Sequence, residues 1–180
     1  MYTSAKLKTE NIVGYLLYMW QVEDVIRANS LDVDKIDELY ISRFGLSDEQ
    51  RHVMRQWYSD LVEMMRSEDV IKSGHLQINK NIIILLTDLH TELLKSSKHP
   101  FYSAAYYKVL PFIVEIRNKS NGTDKPEIEN CFDAIYGFTT LRMQQKEVSS
   151  ETVNAVGEIT KFLGLLADYY KKDKNADLEF

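Results

Sequence analysis

Cysteine occurs once, proline three times and glycine seven times in 180 residues. A lone Cys131 excludes an internal disulfide and the paired Cys/His spacings that build structural zinc sites. Set beside Phe132 in an apolar pattern, its thiol is expected to be buried and inert. Glycine-rich phosphate loops and the Gly-x-Ser-x-Gly elbow are missing, which removes the common nucleotide-cradling and serine-hydrolase arrangements. Cys131 with a distant histidine would be the one nucleophile pairing left, and nothing local supports it.

Long apolar runs are missing as well. None approaches about 18 uncharged residues, so no segment is expected to cross a membrane. The N-terminal MYTSAKLKTENIVGYLLYMW contains an apolar stretch. Glu10 and Asn11 interrupt the approach to it, Gln21, Glu23 and Asp24 follow it, and no small-residue cleavage site appears. The chain is therefore expected to be cytoplasmic. Without a secretion signal, the glycosylation patterns at Asn118-Lys119-Ser120 and Asn121-Gly122-Thr123 carry no meaning. Basic excess is the last absence: 22 Lys and Arg stand against 27 Asp and Glu, for a net charge of -5. Duplex nucleic-acid binders concentrate cations to displace counterions. The tightest run here, Lys171, Lys172 and Lys174, suits a solvated helix C-terminus.

What is present is ordinary for a globular chain, 44% hydrophobic and 27% charged, and long enough for one substantial core. The expected organisation is one helical domain over residues 1–180, with ends fraying at about 1–6 and 173–180. Sparse punctuation separates about seven periodic segments. A first helix, about Asn11 to Asn29, is apolar round most of its circumference and so buried on several sides. A second starts at an Asp32 N-cap, with Leu31 placed to staple onto Ile36, and ends near Phe44-Gly45. Ser47-Asp48-Glu49-Gln50 is a capping box opening the third, which puts Val53, Trp57, Leu61 and Met64 on one face. The fourth covers about His75 to Lys95. Its centre, Ile82 to Leu86, could in isolation be a strand, but the pattern continues through Leu89, Leu93 and Leu94 and favours helix. The fifth, about Phe101 to Asn118, contains Pro111, which predicts a kink or break near Tyr107. Ser120 to Thr123 reads as a loop. Asp124-Lys125-Pro126-Glu127 opens the sixth helix with an acidic cap, a first-turn proline and a capping glutamate, Glu127. Ser149 caps the seventh, which runs to about Lys172. The fold class is all-α, a single-domain bundle with the first and fourth helices central. Gly157 and Gly164, with Thr160 between them, would let another helix approach the seventh closely.

Glu49-x-x-His52 has the spacing of a di-iron carboxylate ligand pair, but no second Glu-x-x-His exists to complete such a site. Asp88, His90 and Glu92 alternate and point about 200° apart on a helix, so they cannot converge on one ion. No catalytic residue, metal ligand or cofactor is assigned.

Polar residues inside apolar stripes are more informative. Glu23 falls in the middle of the Ile12, Leu16, Met19 and Ile26 face, with Arg27 one turn on. On the fourth helix, His75, Asn79, Ile82, Leu86, His90 and Leu93 share a face. His90 is about 22 Å further along the axis than His75, too far for both to serve one site. Arg142 interrupts the Ile128, Ile135 and Phe138 stripe near a helix end, where it can snorkel. Glu23, Arg27, His75 and Asn79, with Tyr15 and Tyr106, are thus candidate contacts for a small ligand in a polar-floored pocket between the first and fourth helices. They would equally serve as a buried structural network. Tyrosine doublets at Tyr106-Tyr107 and Tyr169-Tyr170 should each put one ring in the core and one at a surface or interface.

The segments ENIVGYLLYMWQVEDVIRAN, SGHLQINKN, FYSAAYYKVLPFIVEIR, EIENCFDAIYG and FLGLLADYYKKD resemble a family of bacterial proteins known only as a domain of unknown function. The resemblance spans about Leu7 to Lys172. It implies a compact helical domain from anaerobic bacteria and brings no catalytic or binding residues with it. The expected function is a non-enzymatic helical module that binds itself, a partner protein or a small ligand. The alternative is an enzyme of unrecognised type using Glu23 and His75 as acid and base. Binding of single-stranded nucleic acid through stacked tyrosines lacks the basic groove it would require.

Overall fold

The computed structural model describes residues 2–120 and 125–180, the side chains of 2, 3 and 120 excepted. The loop and acidic cap expected around Asn121 to Asp124, with one glycosylation pattern, lie outside the described residues, and the other pattern ends on an undescribed side chain. Every regular element among the described residues is helical. The chain divides into two compact units, Met1–Asn81 and Ile82–Phe180.

The first unit begins with a helix the composition did not announce, α1 (Tyr2–Glu10). α1 packs on the following helix, with the Lys8 ammonium 5.6 Å from the Tyr15 ring centroid. Asn11 leaves helical geometry at φ -152° and accepts from the Gly14 N–H, capping α2 (Ile12–Ala28). A side chain at Gly14 would meet Asn11 and Leu7 at 3.1–3.4 Å, so glycine here makes room for the cap. Nine of the 17 residues of α2 are buried, as its apolar circumference implies.

Asp32 caps α3 (Val33–Leu39) through the N–H groups of Asp34 and Lys35. The expected second helix is in fact two pieces, α3 and a 3-10 turn over Ile41–Phe44 that ends on Gly45 at φ 59°. The capping box of α4 (Asp48–Ser67) is complete, with Ser47 and Gln50 exchanging bonds. Its buried face is Tyr58, Leu61, Val62 and Met65, rotated about one residue from the expected Val53, Trp57, Leu61 and Met64. Arg51 of α4 forks onto Asp37 of α3 at 2.8 and 3.0 Å and holds that carboxyl below its usual range through the hydrogen bond.

α5 (Gln77–Lys95) contributes its first residues to the first unit and the rest to the second. The Ile82 to Leu86 stretch is helical, as its long period required, and Asn79, Ile82, Leu86, His90 and Leu93 are all buried.

In the second unit, α6 (Pro100–Ser120) runs without a break. Pro111 and Tyr107, whose carbonyl loses its helical partner, both lie on the exposed face, where water can take that carbonyl up. α8 (Ser150–Lys174) packs antiparallel to α6, with Lys108 on Glu158 at 3.0 Å near one end and Tyr102 5.3 Å from Tyr169 near the other. Ser149 caps α8 as expected. α7 (Glu127–Met143) starts two residues later than expected, with Pro126 as an N-cap that offers no side-chain bond rather than as a first-turn residue. Arg142 lies over the Phe138 ring.

One further expectation is corrected. A side chain built at Gly157 or Gly164 would meet nothing within 4 Å, so no described helix approaches α8 there. Beyond α8, His99 Nε2 bonds the Glu179 carbonyl at 2.8 Å and Lys98 pairs with its carboxylate at 3.3 Å. Of the tyrosine doublets, Tyr106 is buried and Tyr107 is 65% exposed, whereas Tyr169 and Tyr170 are both half-buried. Cys131 is buried, and burial pushes its thiol far up, as an inert core cysteine requires.

Candidate functional site

Glu23, Arg27, His75 and Asn79 do come together, within the first unit. Glu23 is fully buried. One carboxylate oxygen faces His75 Nδ1 at 2.6 Å; the other accepts from the Leu76 N–H at 3.0 Å and from Asn79 Nδ2 at 2.7 Å. These groups lie just ahead of, or on, the first turn of α5, where the helix presents unsatisfied N–H groups and the positive end of its dipole. Glu23 thus does for α5 what a capping residue would, from 53 residues away in sequence. The His75 ring stacks on Trp20 at 4.1 Å and 10°.

Arg27 sits 3.9 Å from Glu23 and bonds more closely elsewhere: to Asp24 at 3.1 Å, to the Val70 carbonyl at 3.2 Å and to the Gly74 carbonyl. Gly74 holds φ 84°, a turn that glycine makes without strain. The chemistry of this cluster is that of a clamp, which ties the Val70–His75 loop and the start of α5 onto α2.

Tyr15 and Tyr106 do not join it in the same way. Tyr15 is buried beneath Lys8, eight residues from Glu23 and so about 12 Å along the α2 axis. Tyr106 belongs to the second unit, where its hydroxyl donates to Glu127 at 2.6 Å.

That hydrogen bond borders a cleft of about 420 Å³. His90 of α5 and Tyr106 of α6 form one part of its wall, and Glu127 at the start of α7 another. Thr87, Thr91 and Lys95 supply its remaining polar groups, and Leu94, Pro126 and Ile128 its apolar surface. Both threonine hydroxyls donate back to helix carbonyls, Thr87 to Ile83 and Thr91 to Thr87, which leaves their oxygens able to accept.

His90 is 6% exposed, and its Nδ1 lies 2.7 Å from the hydroxyl of fully buried Tyr102. Burial lowers the pKa of His90 and holds the ring neutral, against a smaller opposing effect of the Glu127 charge. Hydrogen-bond satisfaction fixes the tautomer. A buried O–H needs an acceptor, so Tyr102 donates to Nδ1 and the ring proton resides on Nε2. Burial and the bond to Glu127 raise the Tyr106 hydroxyl well above its ordinary range, so it stays a donor. Among the described residues, Lys95 pairs with no carboxylate within 4 Å, and Glu127 has Tyr106 as its hydrogen-bond partner.

The sequence marks His90 and Tyr106 without joining them, and Glu127 reads in it as a capping residue. The stripe that placed His90 in the core was the available signal. Lys95 and Thr91 carried none. No group of His, Cys, Asp and Glu among the described residues could hold a metal ion, and Glu49 and His52 are both exposed. No helix among the described residues is long and apolar enough to cross a membrane.

The helices define an all-α protein with an apolar core, in which Glu23, Asn79 and His90 are among the few buried polar side chains. Within that class the chain belongs to the family described as domain of unknown function DUF4924, matched over residues 1–177. No curated protein and no solved structure matches it.

Proposed function

We propose that this chain is a cytoplasmic, non-enzymatic binding module that takes a small ligand in the cleft beside His90, Tyr106 and Glu127. One observation carries the proposal: a cation and a carboxylate, Lys95 and Glu127, border one concave surface without pairing with each other. A cleft of several hundred Å³ with a few fixed polar groups over an apolar lining is what small-molecule sites have in common. The Glu23 cluster supports this division of labour. Both its carboxylate oxygens already accept hydrogen bonds from the protein, so the enzymatic alternative on Glu23 and His75 has less to recommend it. Screening a fragment library by amide correlation spectra is expected to shift Thr87, Thr91, Lys95 and Ile128 together. A library whose binders all perturb other regions would contradict the reading.

Self-association is the second reading. Tyr107 and Val114 of α6 and Val153 of α8 are 65%, 43% and 45% exposed, and Val153 lies on the same stripe of α8 as the open Gly157 and Gly164 positions. Light scattering after size exclusion should then give a dimer mass that reverts to monomer in Tyr107→Glu. A wild-type monomer at high concentration would count against it.

A further inference from the structure

The cleft holds charges of both signs, and this limits what can enter it. A purely anionic ligand meets the Glu127 carboxylate, which Tyr106 keeps in place by a 2.6 Å charge-assisted bond. A purely cationic ligand meets the Lys95 ammonium. Glu127 is half-buried and Lys95 exposed at the rim. A ligand that covers either charge without pairing with it takes water from it at a cost, so an occupant that satisfies both is favoured.

The remaining groups fall into matching sets. Acceptors are the second Glu127 oxygen and the Thr87 and Thr91 hydroxyl oxygens, whose protons are already spent on Ile83 and Thr87 carbonyls. Donors are the Lys95 ammonium and the Nε2–H that the Tyr102 contact assigns to His90. The start of α7 adds to the donors. Its first intrahelical bond is from the Asn130 N–H to the Pro126 carbonyl at 3.0 Å. The preceding N–H groups therefore have no acceptor within the helix, and Pro126 offers no side chain to cap them. Between the two sets lie the apolar surfaces of Leu94, Ile128 and the Tyr106 ring.

Resting on the cleft reading above, we propose that the ligand is a small zwitterion, an aminocarboxylate with an apolar side chain. Its ammonium is taken by Glu127 and the threonine oxygens. Its carboxylate is taken by Lys95 and the start of α7, and its side chain lies on Leu94, Ile128 and Tyr106. His90 contributes a neutral donor, held in one tautomer by a buried partner, and so discriminates by position without adding charge.

The test uses the full chain and three zwitterions, L-phenylalanine, L-leucine and L-methionine, beside phenethylamine and hydrocinnamate, which are L-phenylalanine with one charge removed. Titrations are followed through the Thr91, Lys95 and Ile128 amides. At least one zwitterion is expected to bind, with L-phenylalanine about tenfold or more tighter than either half, since each half leaves one protein charge unpaired. Lys95→Met and Glu127→Gln should each remove most of that advantage, and Glu127→Gln keeps an acceptor for Tyr106. A half-molecule that binds as tightly as the whole would overturn the zwitterion. So would failure of all three zwitterions while other fragments still shift the cleft; in both cases the cleft itself stands. Silence of the cleft toward every compound would overturn both proposals together.

Discussion

Replacement of Glu23 by alanine is expected to cost about 3–5 kcal/mol, or roughly 6–20 °C in melting temperature for a chain of this size. The carboxylate is fully buried and serves three donors at once: His75, the Leu76 N–H and Asn79. Removing it strands the Leu76 N–H and Asn79 in places water does not reach, leaves half-buried His75 without its partner, and takes from Arg27 the buried carboxylate 3.9 Å away on α2. The loss has a location as well as a size. Native-state hydrogen exchange should show the Leu76 amide and the first turn of α5 losing protection before the rest of α2 does. Glu23→Gln should cost less, because an amide oxygen still accepts from Leu76. Denaturant unfolding of Glu23→Ala beside the exposed-site control Glu38→Ala checks the point. Equal midpoints for the two would mean that the clamp contributes nothing.

His90 is expected to make stability pH-dependent. Burial lowers its pKa in the folded chain below the ordinary 6.5. The unfolded chain therefore binds the proton first as pH falls, and stability drops with it. The His90 contribution is fully present above about pH 6.5 and is lost as pH falls from there through the lowered folded value. The slope approaches at most about 1.4 kcal/mol per pH unit. His90→Asn keeps an acceptor for Tyr102 and removes the titration. Its unfolding free energy should thus fall less steeply between pH 7 and pH 5 than that of the unaltered chain. Parallel curves would show that His90 does not stay neutral in the folded protein.

Glu23 and His90 both stand out in the sequence, as does Asn79. Each interrupts an apolar stripe at helical spacing, and such an interruption is legible along the chain because period and polarity are local properties. The meeting of Glu23 with Asn79 was also inferable, since two central buried helices must bring their polar positions to something. The partner of the Tyr106 hydroxyl could not be read, being 21 residues away on a helix whose first residue looked like a cap. Glu127 at the head of a helix has a sufficient local explanation in the dipole, so nothing prompted a search for a tertiary one. Helix α1 escaped for a similar reason: its own composition is polar, and what fixes it is packing on α2 through Leu7 and Lys8. The unbroken α6 shows the converse. Pro111 carries a strong local signal for a kink or a break, and the helix continues through it with the orphaned carbonyl on its exposed face.

Stability and binding are expected to be housed apart, the first depending on the Glu23 clamp and the second on the Lys95 and Glu127 cleft. Ligand-dependent melting tests this separation most directly, run on the unaltered chain, Glu23→Gln and Glu127→Gln with the tightest compound from the fragment screen. Glu127→Gln is expected to melt within about 2 °C of the unaltered chain without ligand, and to lose the ligand-induced rise. Glu23→Gln is expected to melt lower and to keep the full rise. The separation would be contradicted if Glu23→Gln lost the rise while Glu127→Gln kept it.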